Sequence, residues 1–404
     1  MSSDSRVGSR LNGRRLAVAA VVLLSVNLRP GATSVGPVLA ELQAALGMNS
    51  LTAGVLTALP GICFAMFGAF AVALAIRTGL DHGVALGIAA IIVGLGARAL
   101  AGDPVTFLAC TVLAFAGMAI GNVLVPAFVK RHFPARTASL MAIYTTGLAV
   151  GATLGSLLAA PLSATGVDGW RLSLGSWAVA AVVSVIPWLW LARRERRHGA
   201  ERHRPQGGSM LAVARSPKAV ALGIFFGVQS MQAYVQFGWI AQMFRDGGLP
   251  QQEAGPVASL IAFLGIPTGL LIPGLIGRLA DARPLVIAFG TLLAAGYLGV
   301  LLAPTTLPWL WATFLGLSGA AFPAAIALIA ARTRQHHVTA QLSGFTQSLG
   351  YSLAALGPFA VGLLHDLTHS WTPALVALMA TSLVMVGAGL RAAAPGFVDD
   401  ELPA

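Results

Sequence analysis

An all-α membrane protein of twelve crossing helices, arranged as two six-helix halves, is the fold class this sequence predicts. Three observations carry it. Only 10% of the 404 residues are charged while 56% are hydrophobic, and the mean hydropathy is +0.80. A soluble domain of this length carries about 25% charged residues, so lipid must cover most of the surface. The apolar residues fall into runs long enough to cross a hydrocarbon core of about 30 Å, which takes about 20 helical residues. One long polar, basic stretch near the middle divides these runs six and six.

The expected spans are 16–40, 51–76, 83–101, 105–129, 138–162, 171–192, 218–243, 254–276, 284–303, 308–331, 340–364 and 371–391. They are helices because backbone polar groups in lipid must be satisfied within the segment. The polar N-terminus followed by an apolar run resembles a signal peptide. The run Leu16–Leu39 is too long for a signal core and lacks a small-residue cleavage site, so it reads as span 1. The domain organisation expected is an N-terminal bundle over 1–192, a linker over 193–217 with the run RRERRHGAERHRPQGG, and a C-terminal bundle over 218–404. Equal halves are the footprint of duplicated transporter repeats.

The formal net charge of +11 raises nucleic-acid binding, but the positions of the charges argue against it. If the spans alternate, Arg6, Arg10, Arg14, Arg15, Arg77, Lys130, Arg131, Arg136, the linker arginines, Arg278, Arg283, Arg332, Arg334 and Arg391 fall on one side. Only Arg98, Arg171 and Arg245 fall on the other. This asymmetry places both termini and the linker in the cytoplasm.

Arg29 is the most informative residue. It lies 13 residues past Leu16, about 20 Å along a helix, and an arginine at membrane depth costs about 2.5–3.5 kcal/mol on an insertion scale. Pro30 and Gly31 follow, so the helix is expected to break there. A guanidinium beside such a break fits an anion. The competing reading is a structural arginine that bonds the carbonyls Pro30 leaves free. Other polar side chains lie deep in apolar runs: Asn27, Asn122, Tyr144, then Gln229, Gln232, Tyr234, Gln236 and Trp239 in span 7, and Gln347 and Tyr351 in span 11. Unpaired amides do not face lipid, so these residues line either helix interfaces or a polar cavity fed by both halves. No Asp or Glu sits at the centre of a span; Glu41, Asp103, Glu253 and Asp366 fall near ends. That speaks against a cation-substrate antiporter with a buried counter-ion.

Enzyme readings find no support: the chain has no zinc motif of the His-Glu-x-x-His type and no phosphate-binding Gly-Lys loop. No cofactor and no metal are expected. Cys63 and Cys110 lie in apolar runs and read as small hydrophobes. Gly147, Gly151 and Gly155, four residues apart, suit close helix packing.

The segments NLRPGATSVGPVLAELQAALG (Asn27 to Gly47), GNVLVPAFVKRHFPARTASLMAIYTTGLAVGA (Gly121 to Ala152), GWRLSLGSWA (Gly169 to Ala178), GVQSMQAYVQFGWI (Gly227 to Ile240) and LSGFTQSLGYSLAALGPFAVGLLHDLTHSWTPAL (Leu342 to Leu375) resemble the cyanate and nitroimidazole transporters of the major facilitator superfamily. The resemblance implies secondary transport by two bundles rocking around a central site, with Arg29, Asn122, Gln229, Tyr234, Gln347 and Tyr351 facing the cavity. It implies a gate role for the loop Gly277-Arg278-Leu279-Ala280-Asp281 together with Arg283. The corresponding loop at Arg77–Asp81 departs from the motif at its centre. The expected function is secondary transport of a small anion or small polar molecule, cyanate-like or nitroimidazole-like, across a bacterial inner membrane. Efflux of drugs or toxic metabolites and a non-transporting receptor are the alternatives. The expected partners are a small-molecule substrate and the lipid bilayer, with protons left open as coupling ion, and the expected state is a monomer.

Overall fold

A computed structural model describes residues 3–133, 136–166, 168–198 and 213–402. Much of the expected linker, including its basic run from residue 199 onward, lies outside the described residues. The described chain is helical with no strand. Span 1 comprises Ser3–Asn27, a short helix Pro30–Thr33, a 3-10 turn Gly36–Val38 and Leu39–Leu46. Spans 2 to 6 are Ser50–Thr78, Leu80–Ala99, Pro104–His132, Thr137–Ser163 and Gly169–His198. Spans 7 to 9 are Pro217–Asp246, Gln251–Arg278 and Arg283–Leu302. Span 10 is Pro308–Ser318 plus Ala321–Ala331, span 11 is His336–Thr368 and span 12 is Thr372–Ala393.

Local sequence explains where the spans begin. Asn49 accepts from the Thr52 amide at 2.8 Å, Asp103 from Thr106 at 2.9 Å and Ser216 from Ala219 at 3.1 Å, each satisfying an orphan donor of a first turn. Proline stands in the first turn of spans 4, 7, 9, 10 and 12, where its missing N–H costs nothing. Among the described residues, 11 helices are long and apolar enough to cross a membrane. The twelfth, span 7, is 30 residues long and is diluted by glutamine and serine. Most of its residues are nonetheless buried, so its polarity faces protein, not lipid.

Two helices break, and the sequence foretells only one. Span 1 breaks at Leu28–Arg29 as Pro30 predicts. Span 10 is expected to be continuous over 308–331 but is interrupted between Ser318 and Ala321. Gly319 and Ala320 there make turn-type bonds to Gly316 and Leu317, and Pro323 cannot offer the amide that would continue the helix across them.

Span 5 packs along the first break. A Cβ at Gly151 would run into the Val26 carbonyl, and one at Gly155 would meet Thr33 and the Pro30 backbone. The small-residue row therefore lets span 5 lie against the two segments of span 1.

The halves meet most closely at the end of the bundle remote from the chain termini. Span 2 packs on span 11 and span 5 on span 8, pairs that exchange when the halves are interchanged. Gly54 faces Gly362 there, and Gly36 faces the Phe237 and Gly238 carbonyls. A bidentate ion pair crosses the halves, Arg245 to Glu41 at 3.0 and 3.2 Å. At the termini end, by contrast, Gly269, Gly274 and Gly277 of span 8 have open space around them. A strap after span 12 ties that end of the second half together. Glu401 caps span 7 through the Ser216 hydroxyl at 2.5 Å and the Lys218 amide at 2.8 Å. Lys218 Nζ donates to the carbonyls of Ala394, Pro395 and Gly396.

Candidate functional site

A cavity of about 450 Å³ lies between the halves. Its wall comes from spans 1, 5, 7, 8, 10 and 11, and it extends toward the termini end through Met141, Pro273 and Ile326. Both broken spans contribute: Arg29 from the first, Gly319 and Pro323 from the second. Breaks of this kind are tolerated at membrane depth where protein or a cavity, and not lipid, surrounds the backbone.

Arg29 is the charged residue of this wall, and among the described residues no carboxylate pairs with it. The Tyr234 hydroxyl of the opposite half stands beside it. Its guanidinium carbon lies 5.7 Å from the centroid of Phe64, in the range of a cation–π contact. Phe64 in turn packs at 6.5 Å on Tyr234 and 5.8 Å on Tyr351. Behind this cage Tyr144 donates to Asn122 Oδ1 at 2.6 Å, and Tyr351 of the second half stands near the same Asn122. Three of the chain's 4 tyrosines thus surround one guanidinium with neutral oxygens and ring faces, which screen the charge without neutralising it.

The residues expected at the site divide. Arg29, Gln229, Tyr234, Gln236 and Tyr351 are on the wall, with Asn122 and Tyr144 in the layer behind. Four others are elsewhere. Asn27 donates to the Leu23 carbonyl and the Ser184 hydroxyl, both at 2.8 Å, joining span 1 to span 6. Gln232 donates to Thr381 at 2.6 Å and accepts from Tyr297 at 2.6 Å, so it faces spans 9 and 12. Trp239 is 1% exposed and donates to the Pro358 carbonyl at 3.1 Å. Gln347 donates to Ser343 one turn away at 2.9 Å and is not on the wall. Asn27, Gln232 and Trp239 thus bond neighbouring helices, and Gln347 bonds within its own. Gln232 is the instructive case: it lies about 60° round the helix from Gln229, enough to reach a different neighbour.

The candidate gate is an exposed turn. Arg283 grips both carboxylate oxygens of Asp281, Oδ2 at 2.6 Å and Oδ1 at 3.0 Å, and Arg278 is exposed. The contact stays within the second half. This grip holds the Asp281 carboxyl below its ordinary range, the Arg283 hydrogen bonds being the main cause.

Arg98 was not singled out by the sequence. It is fully buried, and its Nη1 donates to the Gly31 carbonyl at 2.9 Å. The structural role foreseen for Arg29, bonding a carbonyl released at the break, belongs to Arg98. A charge three residues before the expected end of span 3 was the available signal.

The sequence profile of the Major Facilitator Superfamily matches residues 21–358. An uncharacterized transporter, YycB, of Bacillus subtilis is 33% identical over 92% of this chain and 92% of its own length. The 2-nitroimidazole transporter and the cyanate transport protein CynX of Escherichia coli are each 29% identical. The first aligns over 94% of this chain and 95% of its own, the second over 87% and 90%. Among solved structures, the nucleoside transporter NupG superposes with a TM-score of 0.75 at 13% identity, covering 92% of this chain and 98% of that one. A bacterial homologue of the human lysosomal transporter Spinster, inward-facing and occupied, gives 0.71 at 18% identity over 94% of each chain. The broken first span, the cavity between two bundles and these likenesses agree: the chain belongs to the major facilitator superfamily of multi-pass membrane transporters.

Proposed function

We propose that this protein is a secondary transporter for a small organic anion or an electron-rich polar molecule, bound at Arg29. The observation that carries the proposal is a cavity-facing guanidinium beside the Phe64 ring and the tyrosine hydroxyls, with no carboxylate partner among the described residues. A fixed cation in such surroundings gains most from a mobile anion, because charge-assisted bonds strengthen where water is scarce. The names of the nitroimidazole and cyanate relatives support small, nitrogen-rich or anionic cargo. Both termini face the cytoplasm in this reading, since the arginines gather at that end. The cavity then opens inward, and the far-end contacts around Glu41–Arg245 form the closed outer gate. Asp281, Arg278 and Arg283 belong to the loop that closes the opposite end.

Counterflow in proteoliposomes tests the transport reading directly. Vesicles preloaded with a small organic acid should accumulate the labelled acid without an applied gradient, and Arg29→Ala vesicles should not. Saturable binding without counterflow would leave a receptor and sink the transporter reading.

A further inference from the structure

Besides Arg29 and its cage, the cavity has a second polar point that nothing in the protein satisfies. Gln229 and Ser230 are each 3% exposed and both are on the cavity wall. Gln229 Oε1 and Ser230 Oγ make no hydrogen bond among the described residues. Buried polar atoms in membrane proteins find partners, and the neighbouring polar residues of the same helix do. Gln232 bonds Thr381 and Tyr297, and Gln236 bonds Tyr297 at 3.3 Å. Of the span 7 residues left with such an atom, Gln229 and Ser230 are on the cavity wall and Gln242 is not.

The spacing is fixed by the helix. Ser230 stands one turn before Tyr234, on the same face, and Gln229 one residue earlier, which is about 6–8 Å along the axis. Tyr234 marks the position of Arg29, because both pack on the Phe64 ring. Most of the remaining wall is apolar, Leu148, Ile261 and Phe322 among it. A carboxamide offers both an acceptor and a donor, and a hydroxyl does the same. Together they suit a ligand hydroxyl or ring N–H.

We infer that the site recognises its substrate at two points. The substrate is an organic monoanion with a ring-sized apolar body, whose acid group meets Arg29 and whose hydroxyl or N–H, about one helical turn away, meets Gln229 and Ser230. This rests on the reading of Arg29 as the anion contact and adds the second contact and the length between them. A cavity of about 450 Å³ falls in the range of organic-ligand pockets, about 300–1,000 Å³. A triatomic anion would reach one point and leave the other unpaired. Sites built to bond a hydroxyl discriminate strongly against analogues that lack it.

The test is titration calorimetry on the purified full-length protein with three probes: 4-hydroxybenzoate, benzoate and cyanate. We expect 4-hydroxybenzoate to bind at least tenfold more tightly than benzoate, and cyanate to bind most weakly. In Ser230→Ala and in Gln229→Leu, each checked for an intact melting transition, the ratio of the two benzoates should fall to within about threefold. The ratio is internal to each variant, so a general loss of affinity does not mimic the result. Equal affinities in the wild type, tightest binding by cyanate, or an undiminished ratio in both variants would overturn the two-point inference. If these failures came with Arg29-dependent binding, the Arg29 reading would stand. If no probe bound in an Arg29-dependent way, both would fall together.

Discussion

Two arginines approach the same break in span 1 and do opposite things. Arg29 lies on the cavity wall, its charge facing neutral oxygens and a phenylalanine ring. Arg98 comes from span 3, has no exposed surface, and is tied to the Gly31 carbonyl at 2.9 Å, with Phe107 5.9 Å from its guanidinium carbon. Neither has a carboxylate partner among the described residues. The difference is access: Arg29 is on the cavity wall and Arg98 is not. Arg98 satisfies backbone that the break releases and holds the bend. Arg29 is left over, presented by the bend to the cavity. A buried arginine is therefore not in itself a binding residue; its position relative to the cavity decides.

The largest expected effect separates the two. Removing Arg29 costs a charge-assisted bond to the ligand, about 1.5–3 kcal/mol, or about 10- to 150-fold in affinity. Arg29→Ala should show this loss in ligand titrations with its melting temperature little changed. Arg29→Lys should also bind weakly, since an ammonium keeps the charge but loses the planar fork. A folded Arg29→Ala protein with wild-type affinity would erase the distinction between the two arginines.

Arg98→Leu should do the reverse. It leaves the Gly31 carbonyl without its donor, at a cost of about 1–3 kcal/mol, seen as a lower melting temperature and yield. In the fraction that folds, affinity should stay within about threefold. If affinity falls as far as in Arg29→Ala while the melting temperature holds, Arg98 acts on substrate and the assignment of roles is reversed.

How much of this was legible follows from the same contrast. The break at Pro30 and the depth of Arg29 are local properties of sequence and could be read directly. So could the close packing of Gly147, Gly151 and Gly155, though not that span 1 is its partner. The partners were not legible. Asn27 and Arg29 are two residues apart, yet Asn27 reaches span 6 and Arg29 reaches the cavity, because the chain turns out of its helix between them. Gln232 looks like Gln229 in sequence and differs in which neighbour its rotation meets. Glu41 and Arg245, 204 residues apart, look like two solvated end charges until the halves are brought together. Span 10's interruption carried only a glycine and a later proline, a pattern that many unbroken spans share.

A smaller effect should come from the two ends of the molecule. The Glu41–Arg245 pair is partly shielded, with side-chain exposures of 27% and 19%, and it joins the halves. Partly exposed pairs of this kind contribute about 0.2–1 kcal/mol, so Glu41→Gln should shift the balance between inward- and outward-open forms by no more than about fivefold. Labelling of single cysteines placed at the far end reads that shift. The exchanged pair, Glu41→Arg with Arg245→Glu, should restore the wild-type labelling rate. Restoration would show that the contact between halves matters and not either charge alone.

The smallest effect is expected at Asp281. Its partner Arg283 is two residues away, both are at the surface, and the pair stays inside one half. It is no part of the contacts that join the halves, so Asp281→Asn should leave ligand affinity and melting temperature unchanged. Its proposed work begins only when the termini end closes, and there the loss should slow counterflow a few-fold. The pH dependence follows from the direction of the shift. A carboxyl held below its ordinary value is ionised throughout the neutral and mildly acidic range, and its contribution is lost only as pH falls through the lowered value. The ratio of wild-type to Asp281→Asn counterflow should therefore be the same at pH 7 and pH 5.5. A ratio that converges toward one at pH 5.5 would mean that Asp281 is protonated there, and hence that Arg283 releases it during the cycle.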